Sequence, residues 1–334
     1  MFRILVFCMI STTLDIDLYA SWQHHDEYGL STNRALEKID TDLKPVVVAV
    51  LDSGLEINHP AIKPYVYVNK REIPDNGIDD DNNGKIDDVN GWDFLTNSPL
   101  KKDHHYHGTL VSSIIASSPT EKTMGIAPNA ILLPLRVVPN EGNETDLNVK
   151  LAIDYAVSMG AKIIHCSFGK AFYDKESGLL EALKYWGKKR NIVLVTSSGN
   201  SSMNTDRFKN FPGSLKLDNV ITVGIGNKSG GMNWMSSYGK ETVHLVAPGV
   251  NITSLLPDGG FLEESGSSLA APMLSGSLSI LYGLYPELTP AQTQNILKNS
   301  VIKKESLFGK IKYEGRLNIF EMIKKAESLL TKKD

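Results

Sequence analysis

The chain has 334 residues, enough for one large α/β domain or two smaller ones and ample for a buried core. Hydrophobic residues make up 41% and charged residues 22%, the balance of an ordinary globular protein. A formal net charge of −3 leaves no basic field to recruit nucleic acid, and two cysteines, Cys8 and Cys166, exclude a disulfide framework as the source of stability.

At the N-terminus, Arg3 precedes an apolar run from Ile4 to Ile10, and a cleavage after Ala20 would follow a small residue. Residues 1–20 therefore read as a secretory signal, although Asp15 and Asp17 weaken the pattern and a packed N-terminal segment is the alternative. A secreted or cell-envelope protein is expected, with a cytoplasmic location left open. No apolar run is long enough to span a membrane.

From about residue 45, short β-branched runs alternate with helical patterns. Strands are expected at Val46–Leu51, Ile131–Val138, Ala161–Cys166, Ile192–Thr196, Val220–Val223 and Val243–Val246. A helix is expected from about Leu147 to Met159, with Leu151, Tyr155 and Met159 on one face and Gly160 as its stop, and another from about Gly178 to Lys188. After Ser268 a run rich in Ala, Gly, Ser and Leu reads as a buried helix to about Tyr285. Thr289-Pro290-Ala291-Gln292 reads as a capping box, and a last helix starts near Asn318. This order predicts a doubly wound α/β fold, a mostly parallel sheet with helices on both faces. With no repeat, linker or break in composition, residues 21–334 are expected to form one domain.

In such a sheet, ligands bind beyond the carboxyl ends of the strands. The first strand ends in Asp52-Ser53-Gly54, which alone is an ordinary turn. His107-Gly108-Thr109 opens a run of small and apolar residues. A metal site through His104 and His107 is poorly supported, since no matching cysteine or histidine partner stands elsewhere. Gly266-Ser267-Ser268-Leu269-Ala270-Ala271-Pro272 puts a serine at a helix N-terminus, where it could simply be a cap. Together the three offer a different chemistry. A serine hydroxyl is a weak nucleophile that needs a base, and the base needs an orienting group. Asp52, His107 and Ser268 supply those types. No histidine follows Ser268, which excludes the Ser, acid, His order of α/β-hydrolases. Cys166 follows a strand as a small hydrophobe would.

Asp-Ser-Gly, His-Gly-Thr-x-Val and Gly-x-Ser-x-Ala-Ala-Pro, in that order, resemble the subtilisin-like serine proteases, the subtilases. The resemblance runs from about Trp22 to Ala326 and includes Gly125-Ile126-Ala127-Pro128, Ser236-Ser237-Tyr238-Gly239 and Val246-Ala247-Pro248-Gly249. It implies a serine endopeptidase with an Asp52–His107–Ser268 triad, acting as a monomer on an extended peptide or unfolded protein. It further implies that Asn200, in Ser197-Ser198-Gly199-Asn200, is an oxyanion donor. Ser167, Phe168 and Gly169 would wall the first specificity pocket, opposite Ser198 and Gly199. Gly142 to Glu144 would form the other edge of the groove, with Asn210 and Phe211 shaping the pocket. Two positions depart from the family: Ser267 stands where Thr is usual and Leu269 where Met is usual, and neither change should abolish chemistry. Glu144 replaces a small residue and is expected to favour basic substrate side chains. A peptide-binding protein without turnover on the same fold is the alternative, and a calcium-binding adhesion module a third reading. Fewer residues precede the first strand than the family's usual prosegment, so unaided folding, folding aided by calcium and an incomplete sequence all remain open.

Between Asp52 and His107 lies an acidic insert, about residues 75–90. From Asp79 it reads D-x-D-x-N-G-x-x-D, the opening of an EF-hand-like calcium loop, with Asn90 at the twelfth position where a bidentate Glu would stand. Five aspartates between Asp79 and Asp88 would repel one another without a cation. The expected ligands of a structural calcium are Asp79, Asp81, Asn83 and Asp87 side chains and the Lys85 carbonyl; a solvated acidic loop is the plainer alternative.

Overall fold

The computed structural model describes residues 21–330. The expected signal, residues 1–20, lies outside the described residues, as do residues 331–334.

A short helix α1 (Thr32–Glu37) leads to β1 (Val46–Asp52), built from the first β-branched run. The acidic insert follows, then the two-residue strands β2 (Trp92–Asp93) and β3 (Ser98–Pro99) and helix α2 (His107–Ile115). Alternation then sets in: β4 (Ala130–Arg136), α3 (Asp146–Ser158), β5 (Ile163–Cys166), α4 (Leu179–Arg190), β6 (Val193–Ser197), β7 (Val220–Gly226) and β8 (Leu245–Pro248). A hairpin of β9 (Ile252–Leu255) and β10 (Phe261–Glu264) delivers the chain to α5 (Ser267–Leu284). It closes with α6 (Pro290–Ser300), β11 (Ile302–Lys303), β12 (Gly315–Arg316) and α7 (Ile319–Leu330). The capping box at α6 forms as the sequence predicts, Thr289 and Gln292 satisfying each other's backbone amides.

One sheet has the order β11-β12-β8-β7-β6-β5-β1-β4-β2-β3. Every pairing from β2 through β4, β1, β5, β6, β7 and β8 to β12 is parallel, with antiparallel strands at the edges. The chain leaves β1 toward β4 on one side and fills β5 to β8 on the other, so β1 marks the switch in strand order where a crevice opens.

Side-chain alternation along β1 divides the core. Val46, Val48 and Val50 join Leu110, Val111 and the buried length of α5 on one face. Ala49 and Leu51 join α3 and α4 on the other. The fold expectation holds, but one face was misassigned. Leu151 is exposed, and α3 buries Val149, Ala152, Ile153 and Ala156 beside Tyr155. These residues share one buried cluster with Ala49 and Leu51 of β1, so they rather than Leu151 form the inward face.

Candidate active site

Asp52 is the last residue of β1 and His107 the first of α2. The two ends approach so closely that a Cβ on Gly108 would lie 2.0 Å from the Gly54 carbonyl oxygen. Gly54 itself has φ +127°, so glycine is required on both sides of this contact. His107 Nδ1 lies 2.9 and 3.0 Å from the two Asp52 carboxylate oxygens. A carboxylate only accepts, so Nδ1 carries the proton and Nε2 keeps its lone pair. Asp52 is 2% exposed and also accepts from the Ser53 amide at 2.7 Å. Burial works against its charge, but the charge and hydrogen bond of His107 and the Ser53 amide outweigh it, holding Asp52 below the usual carboxylate value. For His107 burial likewise opposes the charged form. Asp52, with smaller help from Asp103 and Glu264, overcomes it and raises the imidazole above its ordinary value.

Ser268 is the second residue of α5, half-buried between buried neighbours. At that place the first-turn amides and the helix dipole favour negative charge. Asn200 follows β6 and is anchored by its oxygen: Oδ1 accepts from the Ser267 amide and the Ser267 hydroxyl, both at 2.8 Å. Because a backbone N–H can only donate, the amide orientation is fixed, and Nδ2 is the Asn200 atom nearest Gly266. Ser267 Oγ accepts in turn from the Gly199 amide at 3.0 Å. A hydroxyl at position 267 is thus what the geometry uses, which explains why Ser serves in place of Thr.

The expected pocket walls converge. A Cβ on Gly169 would lie 2.5 Å from the Asn210 side chain, and one on Gly199 would lie 3.6 Å from it. Asn210 therefore sits between Ser167-Phe168-Gly169 and Ser198-Gly199. Phe211 and Lys170 exchange backbone hydrogen bonds of 2.7 and 3.0 Å. Gly142, exposed at φ +84° with open space around it, lies in the loop before α3. The expectation for Glu144 fails: its side chain is 5% exposed and turned toward Lys170, 3.9 Å away, which also donates to the Glu144 carbonyl at 2.9 Å and pairs with Asp146 at 3.1 Å. A buried carboxylate needs a compensating cation, and Lys170 supplies it from within the protein.

The description of the subtilase family matches residues 44–320. This chain belongs to the subtilase family. It is 32% identical over 326 residues to a subtilisin-like protease 1 of Plasmodium berghei, covering 90% of this chain and 54% of that protein. It is 31% identical over 237 residues to thermitase of Thermoactinomyces vulgaris, covering 70% and 74% respectively. The fold is similar to that of an epidermin leader peptide processing serine protease from Staphylococcus aureus, at TM-score 0.73 and 22% identity, over 95% of this chain and 83% of that one. The chain spans about half the length of the curated Plasmodium relatives it matches.

In this subtilase the acidic insert closes on itself in a way the linear pattern does not foresee. Asp79 accepts from the Asn83 and Gly84 amides at 3.0 and 2.8 Å. Asp87 accepts from the Asn76 and Gly77 amides, both at 3.1 Å. Asn83 Oδ1 takes the Lys85 amide at 2.9 Å, and Asn90 donates to the Tyr67 carbonyl at 2.8 Å. The carboxylates that converge are Glu72, Asp81 and Asp88, with oxygens all within 4.8 Å of one another. Asp81 alone belongs both to this set and to the expected ligands. Glu72 is raised by burial and by the charges of Asp88 and Asp81, against the pull of two backbone amides. Asn69 and Asn83 donate to the cluster at 2.8 to 3.1 Å, while their Oδ1 atoms accept the Arg71 and Lys85 amides. The three converging carboxylates supply hard oxygen donors, which fit calcium by donor chemistry.

Two further residues escaped sequence reasoning. Asp103 accepts from Ser53 Oγ at 2.8 Å and from both the Thr109 amide and hydroxyl at 2.7 Å, tying β1 to the start of α2. An acidic residue just ahead of a helix start was the available signal. His165, in β5, is buried behind the site and gave no signal, since a histidine within an apolar run reads as core.

Proposed function

We propose that this chain is a serine endopeptidase that hydrolyses peptide bonds through an acyl-enzyme. The single observation that carries the reading is the His107 imidazole, held by Asp52 through Nδ1 with Nε2 unprotonated. Ser268 Oγ attacks the carbonyl carbon while Nε2 of His107 takes its proton. The carbonyl oxygen becomes an oxyanion at the N-terminus of α5, facing the Ser268 amide and Asn200 Nδ2. His107 returns the proton to the amine as the C–N bond breaks. Water repeats the cycle on the ester and regenerates Ser268. Asp52 stabilises the imidazolium throughout without being protonated itself.

The substrate would be an extended peptide lying between the Gly142 loop and the segment Ser167 to Gly169, with backbone pairing supplying much of the binding. Residues 21–334 would act as one peptidase domain. Calcium, if bound, would be held by Glu72, Asp81 and Asp88 and would act as a structural counter-charge. Among the described residues no helix is long and apolar enough to cross a membrane. Secretion and a monomeric state are part of the proposal.

A serine-directed organophosphonate tests the reading. Stoichiometric labelling of Ser268, prevented by Ser268→Ala, is expected together with cleavage of a peptide library. Folded protein that takes up no label would overturn it.

A further inference from the structure

Behind Ser268 lies a buried chain of hydrogen bonds with no place in the mechanism above. His165 is fully buried in β5. Its Nε2 lies 2.8 Å from Ser167 Oγ and its Nδ1 2.9 Å from Ser275 Oγ in α5. Ser167 Oγ lies 3.0 Å from the carbonyl oxygen of Ser268. Donor and acceptor roles follow without ambiguity. The Ser268 carbonyl can only accept, so the single Ser167 proton goes to it. Ser167 Oγ must then accept from His165, which puts the ring proton on Nε2. Nδ1 is left as an acceptor for the Ser275 hydroxyl. One imidazole thus grips α5 at two points, about two turns apart: directly at Ser275, and through Ser167 at the Ser268 carbonyl. The same Ser167 belongs to the expected pocket wall, so the chain also joins that wall to α5.

We propose that His165 is a positioning residue for the hydrolysis assigned above: through Ser167 it holds the Ser268 carbonyl, and so fixes the backbone on the C-terminal side of the nucleophile's Cα. The inference rests on the serine-peptidase reading. Its sense lies in where the oxyanion forms. A released Ser268 carbonyl would let the first turn of α5, which carries the Ser268 amide and Oγ, shift about the Cα, and small displacements of reacting groups are costly in rate. Burial favours the neutral ring and holds His165 down at about 3, against the pull of Asp52 and with a smaller push from His107, so the donor pattern persists across the working pH range.

Geometry supplies a discriminating pair of variants. The amide of Gln reaches where Nε2 stands, and the amide of Asn reaches only as far as Nδ1. His165→Gln should keep the donor to Ser167 and retain kcat within about threefold, whereas His165→Asn and His165→Leu should lose about tenfold to a hundredfold in kcat with KM changed much less. Equal kcat for the Gln and Asn variants, both folded by thermal melting, would overturn the proposal, even if the Leu variant fails to fold. Nitrogen NMR of the unaltered protein gives a readout independent of turnover. It should show His165 neutral and protonated on Nε2 from about pH 5 to about pH 8. A proton on Nδ1 would also overturn it. Absence of organophosphonate labelling in the unaltered protein would instead defeat the peptidase reading, and the NMR result would still stand on its own.

Discussion

At the end of β1 one buried carboxylate faces one imidazole; in the insert before β2 three carboxylates face one another. Asp52 has its hydrogen-bond partner built in, and both oxygens meet His107. Glu72, Asp81 and Asp88 have only partial compensation. Arg71 reaches Asp81 at 2.8 Å. Tyr155 donates to Asp88 at 2.7 Å. The Lys85 ammonium, which burial pushes below its usual value, lies over the rings of Trp92 and Phe94 at 4.4 and 4.7 Å. The difference teaches which part is complete as folded. Asp52 is paired within the protein, whereas the three carboxylates of the insert repel one another and would gain from a neutralising cation.

The sharpest way to break this comparison is at the nucleophile. Ser268→Ala should lower kcat by on the order of 10⁶ while leaving the melting temperature and the acidic insert unaffected. Residual activity within tenfold of the parent would mean that Ser268 is not the attacking group. Asn200→Ala comes next, with about 10²–10³ lost in kcat and little change in KM, a size established on a subtilisin's own oxyanion asparagine rather than derived from this chain. Since Asn200 Oδ1 also receives two hydrogen bonds from Ser267, the folded state of this variant should be verified by melting.

Much of this site was legible in the sequence because its parts sit at strand ends and helix starts. Asp52 closes a run of β-branched residues, and His107 and Ser268 stand at helix N-termini followed by small residues, which are the positions that the pattern predicts for them. Asn200 needed the resemblance to be singled out, since Ser-Ser-Gly-Asn after a strand has no chemical signature of its own. The insert was misread in detail for a physical reason. Linear spacing identifies acidic loops, but whether a carboxylate points inward or caps a neighbouring amide depends on turns such as those at Asn82 and Asp87, which have φ of +58° and +55°. Glu72 lies outside the motif altogether and joins it by accepting the Asp81 and Asp87 amides at 3.1 and 3.0 Å. Tertiary hydrogen bonds of this kind leave no periodic trace.

Calcium sharpens the comparison at a smaller scale. At a calcium level a hundredfold above its dissociation constant the folded state should gain about 2.7 kcal/mol. For a domain of this size that corresponds to a few degrees in Tm, read as the gap between melts in calcium and in chelator. Asp81→Asn removes one of the three like charges, so the chelated form should be relieved and the gap should narrow. An identical melt with and without chelator would show that Arg71, Lys85 and the amides already suffice.

The smallest expected effect tests how far the Asp52–His107 pair is tuned by its surroundings. Activity requires neutral His107, so it should fall tenfold per pH unit on the acid side, with a midpoint above the ordinary histidine value because the net shift of His107 is upward. Glu264, at the end of β10 and hydrogen-bonded to Tyr106, adds to that upward shift through its charge. Glu264→Gln removes the charge while keeping an oxygen acceptor. The imidazolium loses a favourable neighbour, the His107 value falls, and the acid limb of kcat/KM should move toward lower pH by a fraction of a unit. Because Glu264 is half-buried, salt should screen its effect more than that of Asp52, and the difference between parent and variant should shrink as ionic strength rises through about 0.15 M toward 1 M. A limb that moves upward, or that does not move at low salt, would mean that Asp52 alone sets the basicity of His107.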